Sequence, residues 1–358
     1  MHCCSNCFAD EEIKAIIQSS KIKGSCDFCG ASDTPLYNIE VNTRISEILD
    51  PVLDVYTPLS LLPKGFNGKT ALIKDILKHD WKIFNLHPNL IYKLIISLCK
   101  QRYKDQPELF NNVVGIREST DTAYLKTHSI LKDNKWEDFE KGIKTKNRFH
   151  SNFINTDLLD FFLQQVMVPR CKKDNLMFRA RICPDKTGFS SLDMGAPPEH
   201  LAKDGRVNPV GISILYLSNE EKTTLHEVRA ALFDYVTIGI FELQEDIRII
   251  KLSQIDHISP SLLTPNNFDL TEYAINLPHL RKLALEIAKP IRNFNVLDYL
   301  PTQYICDFIR SKGYDGIEYN STMHEGGVNL AIFEPNRFKC TRTKIYEITS
   351  INYEHKPV

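Results

Sequence analysis

Four cysteines near the start of the chain constrain its fold more than any other feature. Cys4-x2-Cys7 and Cys26-x2-Cys29 form two CxxC pairs separated by residues 8–25, the spacing of two knuckles that converge on one metal ion. Each pair lets two thiolates face the metal from a tight turn, and Gly30 directly after the second pair suits such a turn. Zn²⁺ is the default occupant of a closed four-thiolate site, which leaves no coordination position for a substrate. The metal would therefore be structural. Cys3 or His2 remains an alternative to Cys4 as a ligand. A redox CxxC is the competing reading, but that motif is single and lies in a βαβ setting. The expected product is a small zinc-binding module over residues 1–42, with a short helix over 10–19 between the knuckles.

The rest of the chain is ordinary in composition. Of 358 residues, 42% are hydrophobic and 25% charged, enough for a sizeable core and too mixed for a disordered or coiled-coil chain. The balance of 44 Lys+Arg against 45 Asp+Glu offers no global attraction for nucleic acid or an anionic membrane. No apolar run approaches a membrane span, and the N-terminus lacks the basic and apolar regions of a signal peptide. The expectation is a cytoplasmic protein. The scattered Cys99, Cys171, Cys183, Cys306 and Cys340 read as small buried hydrophobes of a reducing compartment.

Apolar residues at spacings of three and four place helices near 45–56, 70–80, 89–102, 136–146 and 156–168. Residues 43–170 are thus expected to form a mostly helical domain. After Lys172-Lys173-Asp174-Asn175 the pattern changes to short apolar runs at 176–182, 212–217, 235–243, 247–252, 316–319 and 328–333, which read as strands. Helices are expected between them near 222–232, 270–288 and 302–312. Strands and helices out of strict alternation argue for an α+β fold over residues 171–358 and against a doubly wound sheet.

Familiar catalytic anchors are missing from the sequence. Gly65-Phe-Asn-Gly68-Lys69-Thr70 imitates a phosphate-binding loop, but position 63, where that motif needs glycine, is proline. There is no HExxH and no GxSxG. Instead, Phe178-Arg179-Ala180-Arg181 puts two guanidinium groups on one face of a strand, a clamp suited to a diphosphate. Gly205-Arg206-Val207-Asn208-Pro209-Val210-Gly211 is a turn that leads toward Tyr216. Thr223-Thr224-Leu225-His226-Glu227 opens a helix, Tyr319-Asn320-Ser321 ends a strand, and Gly326-Gly327-Val328-Asn329 begins another.

Taken in order, these segments resemble the RES-domain family, named for an Arg, a Glu and a Ser. The motifs are Phe-Arg-Ala-Arg (178–181), Gly-Ala-Pro-Pro (195–198), Gly-Arg-Val-Asn-Pro-Val-Gly-Ile-Ser (205–213), Leu-Tyr-Leu-Ser (215–218) and Thr-Thr-Leu-His-Glu-Val-Arg (223–229). Pro-Thr-Gln-Tyr-Ile (301–305), Gly-Tyr-Asp-Gly-Ile-Glu-Tyr-Asn-Ser (313–321) and Gly-Gly-Val-Asn-Leu-Ala-Ile-Phe (326–333) complete the set. The N-terminal part resembles the zinc-plus-helical extension of longer members.

The resemblance implies an ADP-ribosyltransferase-like mixed β core and an enzyme that degrades NAD⁺ as a phosphorylase or glycohydrolase, in the manner of a bacterial toxin or anti-phage effector. NAD⁺ and inorganic phosphate are then substrates, not redox cofactors. Glu227 would stabilise the ribosyl cation, Arg179 (preferred to Arg181 because it follows the aromatic Phe178) together with Arg206 would hold the diphosphate or phosphate, and Tyr216 would stack on nicotinamide. Ser321 would orient the substrate, and Asn329 is either a further contact or a turn residue. Such an enzyme must be restrained, by an inhibitory antitoxin protein or by the N-terminal region. Two other readings compete: a transferase that modifies a protein or nucleic acid, and a non-catalytic protein that binds through its zinc module. Oligomeric state is open.

Overall fold

A computed structural model describes residues 1–170, 176–263, 268–290 and 295–352. The chain divides into two compact units, one of Met1–Asp133 with Asp256–Arg281, the other of Asn134–Ile255 with Lys282–Val358. Cys171 and the polar run 172–175 lie outside the described residues.

The first unit opens on strands β1 (His2–Cys4), β2 (Lys23–Gly24) and β3 (Thr34–Asn38), which form a small sheet in the order β1-β3-β2. The helix Glu11–Gln18 lies between the knuckles and starts where the Asp10 carboxylate accepts from the Ile13 amide at 3.0 Å, an N-cap that satisfies an otherwise orphaned donor. Its apolar face buries Ile13 and Ile17 completely.

Helices Arg44–Asp54, Ile73–His79 and Pro88–Leu98 follow, with a second small sheet of β4 (Thr57–Pro58), β5 (Thr70–Leu72) and β6 (Val113–Gly115) in the order β4-β6-β5. Two expected helices are shorter than their periodicity suggests. Thr70–Leu72 pairs with β6 as a strand before the helix begins at Ile73. The apolar pattern of 89–102 breaks at Cys99 (φ −104°, ψ 46°), and a separate helix, Lys100–Asp105, continues it. In this region tertiary pairing overrides local periodicity.

The second unit is built on one eight-stranded sheet. Its strands are β7 (Met167–Arg170), β8 (Leu176–Cys183), β9 (Leu215–Ser218), β10 (Tyr235–Leu243), β11 (Ile247–Lys251), β12 (Gly316–Asn320), β13 (Val328–Ile332) and β14 (Phe338–Glu347). Their order is β14-β10-β8-β9-β13-β12-β11-β7, and the one parallel pair is β11 with β12. The fold is α+β, as the sequence pattern implies.

Alternation sorts the strand residues to two faces. Met177, Leu215, Leu217, Phe241, Leu243, Ile249, Leu330 and Ile332 fill one core. Ala180, Val236 and Ile238 face the other way, packed by Phe178, Leu225 and Val228. Each fully buried aliphatic contributes roughly 1.5–3 kcal/mol relative to exposure.

Two strands were not anticipated by the apolar pattern. β14 carries Lys339, Arg342 and Lys344 along a sheet edge, where charge discourages further strand pairing. β7 follows the helix Thr156–Gln165 without a turn residue to announce the change.

One seam in this sheet is barely closed. β8 and β9 are joined at a single register pair, Phe178 opposite Ser218. By comparison, β8 pairs with β10 along its whole length, from Cys183 opposite Tyr235 to Leu176 opposite Glu242. Beyond Phe178 the two strands part, and the sheet opens.

Candidate active site and metal centre

A cavity of about 340 Å³ lies at this opening, lined on one side by Phe178, Arg179 and Ala180 of β8 and on the other by Tyr216, Leu217 and Ser218 of β9. Glu227, Arg206, Tyr319 and Asn329 also line it. The strand registers explain the grouping. Asn329 pairs with Ser218 across β13–β9 and with Tyr319 across β12–β13, so the three side chains share one sheet face.

Glu227 is the last residue of the helix Glu221–Glu227. The expected continuation to residue 232 stops there because the chain turns through a Schellman closure. Ala230 N–H donates to the Leu225 carbonyl and Arg229 N–H to that of His226, both at 3.1 Å. Arg229 takes the left-handed position at φ 53°, normally a glycine site. The closure fixes Glu227 at a helix C-terminus, where the backbone carbonyls disfavour a negative charge. Side-chain donors offset this. Ser321 Oγ donates to Glu227 Oε1 at 2.7 Å, and Asn329 Nδ2 donates to the same oxygen at 2.6 Å. Oε2 has Arg206 Nη2 at 3.9 Å, an ion pair without a hydrogen bond. The carboxylate is thus braced on one oxygen, with the other turned toward Arg206.

Ser321 is itself held by its loop. Its hydroxyl accepts from the amides of Met323 (3.1 Å) and His324 (3.2 Å). The His324 ring stacks on His226 at 5.1 Å and shares a hydrogen bond with Thr223 Oγ1 at 2.9 Å. Burial, His324 and Lys222 together push the His226 imidazole below its ordinary value, against the opposing pull of Glu227.

The two arginines of β8 behave differently. Arg179 faces the cavity, and its buried Nε and Nη1 have no hydrogen-bond partner in the protein. Burial first, then the neighbouring Arg181, push its guanidinium down to about 10. A buried cation without an acceptor is costly and calls for an anionic ligand. Arg181 instead donates to the Asp193 carbonyl and lies over the Phe189 ring at 4.1 Å, and it is not among the residues lining the cavity.

Arg206 is set by a polar network that sequence reasoning did not anticipate. Asn208 Nδ2 donates to the carbonyls of Lys203 and Ile212, both at 2.9 Å, while its Oδ1 accepts from the Tyr216 hydroxyl at 2.7 Å. Gln303 Nε2 closes the turn by donating to the carbonyls of Gly205 (2.8 Å) and Asn208 (2.9 Å). Arg206 leaves this turn to donate to the Ala288 carbonyl, with its guanidinium carbon 5.7 Å from the Tyr319 ring centre. Burial raises both phenols, Tyr319 to about 12 and Tyr216 well above its usual range, so both stay neutral. Asn208 and Gln303 lie in the segments 205–213 and 301–305, and neither segment alone reveals that the two side chains close one turn.

In the first unit, Cys4, Cys7, Cys26 and Cys29 converge, with their four sulfurs all within 4.8 Å of one another. The Sγ atoms of Cys4 and Cys29 lie 3.4 Å apart, and those of Cys7 and Cys26 3.5 Å. Four sulfurs each about 2.3 Å from one tetrahedral centre would stand roughly 3.8 Å apart, so the set fits a zinc ion. Cys3 is buried on β1 but does not belong to this group. Burial raises the Cys4 thiol to about 11 and Cys7 further, a protonated state that a bound cation would reverse. Among the remaining described cysteines, Cys99, Cys183 and Cys306 are buried and Cys340 partly so.

With this geometry in place, comparison with known proteins gives the class. Residues 178–352 match the family model of the RES domain. The match begins at Phe178 and takes in all of the cavity residues. Among solved structures, a chain in the crystal structure of the M. tuberculosis MbcT–MbcA toxin–antitoxin complex is similar at 14% identity, over 52% of this chain and 91% of that one, with a TM-score of 0.31. No curated protein sequence matches. No helix among the described residues is long and apolar enough to cross a membrane.

Proposed function

We propose that the RES domain cleaves the nicotinamide–ribose bond of NAD⁺ and passes the ADP-ribosyl group to phosphate or water. One observation carries this reading: Glu227, a carboxylate braced by Ser321 and Asn329, shares a cavity with a buried arginine, Arg179, that has no acceptor of its own, while Asp204, the other carboxyl group lining the cavity, has no such brace. Ordinary glycosidases need two carboxyl groups, one of them to protonate the leaving oxygen. The pyridinium of NAD⁺ leaves as neutral nicotinamide and needs no proton.

In the reaction, the C1′–N bond breaks and its electron pair moves to the ring nitrogen. An oxygen of phosphate or water then bonds to C1′, and the proton of an attacking water passes to solvent. Glu227 Oε2 would face the ribosyl cation that develops, a contribution of about 3–4 kcal/mol or 10²–10³ in rate. Arg179 and Arg206 would hold the diphosphate, and the Tyr216 ring offers nicotinamide a stacking face worth about 1 kcal/mol. Ser321 and Asn329 serve by holding Glu227. The four-cysteine group of the first unit would carry a structural Zn²⁺ and take no part in the chemistry.

The test incubates the full chain with NAD⁺, with and without phosphate, beside Glu227→Ala, and reads products by phosphorus NMR. Phosphorylated ADP-ribose that forms only with phosphate defines a phosphorylase; ADP-ribose under both conditions defines a glycohydrolase. Either product should fall at least about 10²-fold in the variant. Label retained on macromolecule would favour a transferase, and intact NAD⁺ with folded protein would overturn the reading.

A further inference from the structure

Glu227 is an acceptor only, and this fixes the polarity of everything bonded behind it. The atom of Asn329 that meets Glu227 Oε1 at 2.6 Å has to be the amide nitrogen. The Asn329 carbonyl oxygen is thereby turned the other way, to Ser218 Oγ at 2.6 Å, and the serine hydroxyl has to donate to it. Both residues are almost fully buried, Ser218 at 4% exposure and Asn329 at 3%, so water cannot replace either bond. They are direct cross-strand partners in β9 and β13.

We propose that Ser218 is a positioning residue for the reaction, holding the Asn329 amide in the one orientation that donates to Glu227. This rests on the role proposed for Glu227 in the cleavage of NAD⁺. Without the serine hydroxyl, the amide is free to rotate, and its oxygen would then confront the carboxylate. Glu227 would keep Ser321 as its single donor on Oε1 and lose its fixed aim. The arrangement assigns to β9 a task that the Leu-Tyr-Leu-Ser segment (215–218) does not by itself reveal.

Ser218→Ala is expected to lower kcat about tenfold with KM within about twofold, since one buried hydrogen bond to a charged group is at stake. In an Asn329→Ala background the same change should do nothing further, because the orientation it protects is gone. Ser218→Thr, which keeps the hydroxyl, should stay within about threefold of wild type. Ser218→Cys has nearly the same volume and a poor donor, and it stands in if the alanine variant does not fold.

A second readout needs no substrate. In asparagine-labelled protein, the side-chain NH₂ pair of Asn329, identified by its loss in Asn329→Ala, should shift and exchange faster with solvent in Ser218→Ala. Wild-type protein that leaves NAD⁺ intact would fell the proposed reaction alone, and the spectrum would still decide the role of Ser218. An unmoved NH₂ pair, or an equal loss of rate in both backgrounds, would overturn the proposal.

Discussion

The two units solve the same problem, gathering polar groups at one point, by opposite means. In the first, four identical ligands come from within 26 residues' reach of each other, Cys4 to Cys29, and two turns deliver them. In the second, Arg179, Arg206, Glu227, Ser321 and Asn329 come from two strands and their flanking loops, a turn and a helix end, and no two are neighbours in sequence. The first arrangement is closed, its four thiolates placed to saturate one metal ion. The second leaves a buried guanidinium without an acceptor and one carboxylate oxygen without a hydrogen-bond donor. Saturation marks a structural centre, whereas incompleteness marks a place where something else must bind.

The sharpest way to break this contrast is to attack the saturated site. Cys26→Ser should abolish binding of one zinc per chain and strip hydrogen-exchange protection from residues 1–42, since a structural zinc contributes on the order of 10 kcal/mol to folding. Metal content by mass spectrometry checks it. Unchanged protection in the variant would mean that the cluster is not a folding centre.

The next test separates the two arginines of β8. Arg179→Ala should cost about 10–100-fold in kcat/KM for NAD⁺, the value of a charged hydrogen bond to the diphosphate. Arg181→Ala should change kcat/KM by less than about threefold and lower thermal stability instead, because Arg181 is occupied by Asp193 and Phe189. The reverse pattern would move the anion site outside the cavity.

The smallest effect concerns acidity. The His226 imidazole is held below its usual value of 6.5 by burial, His324 and Lys222. The unfolded chain therefore takes up the proton more readily, so this contribution to stability is whole above pH 6.5 and is lost as pH falls below it. His226 is exposed, and solvent screening keeps its own share of the change in melting temperature between pH 7 and 5 to no more than about 2 °C, beside the partly buried His279, which burial pushes the same way. His226→Gln should flatten that slope.

What could be read in advance depends on the same contrast. Cys4, Cys7, Cys26 and Cys29 announce themselves because ligand spacing is local. β10, whose Val236–Phe241 run is buried throughout, is equally plain. β14 is not, because an edge strand keeps charges that mimic a loop. Glu227 and Arg179 stood out through their motifs, but composition and periodicity could not tell Arg179 from Arg181. Both lie on one strand face, and their separate fates depend on where β8 leaves β9. Gln303 and Ser218 lie in family-like segments, but their roles were hidden for a related reason: their partners, Gly205 and Asn329, lie about a hundred residues away.

The seam between β8 and β9 has a consequence for the synthesis of this protein. Glu227 is synthesised 94 and 102 residues before its donors Ser321 and Asn329, and β14, which pairs with β10, follows them. A chain that ends before residue 321 therefore carries the Glu227 carboxylate without either donor. Bracing of the carboxylate thus waits until β12 and β13 have joined the sheet.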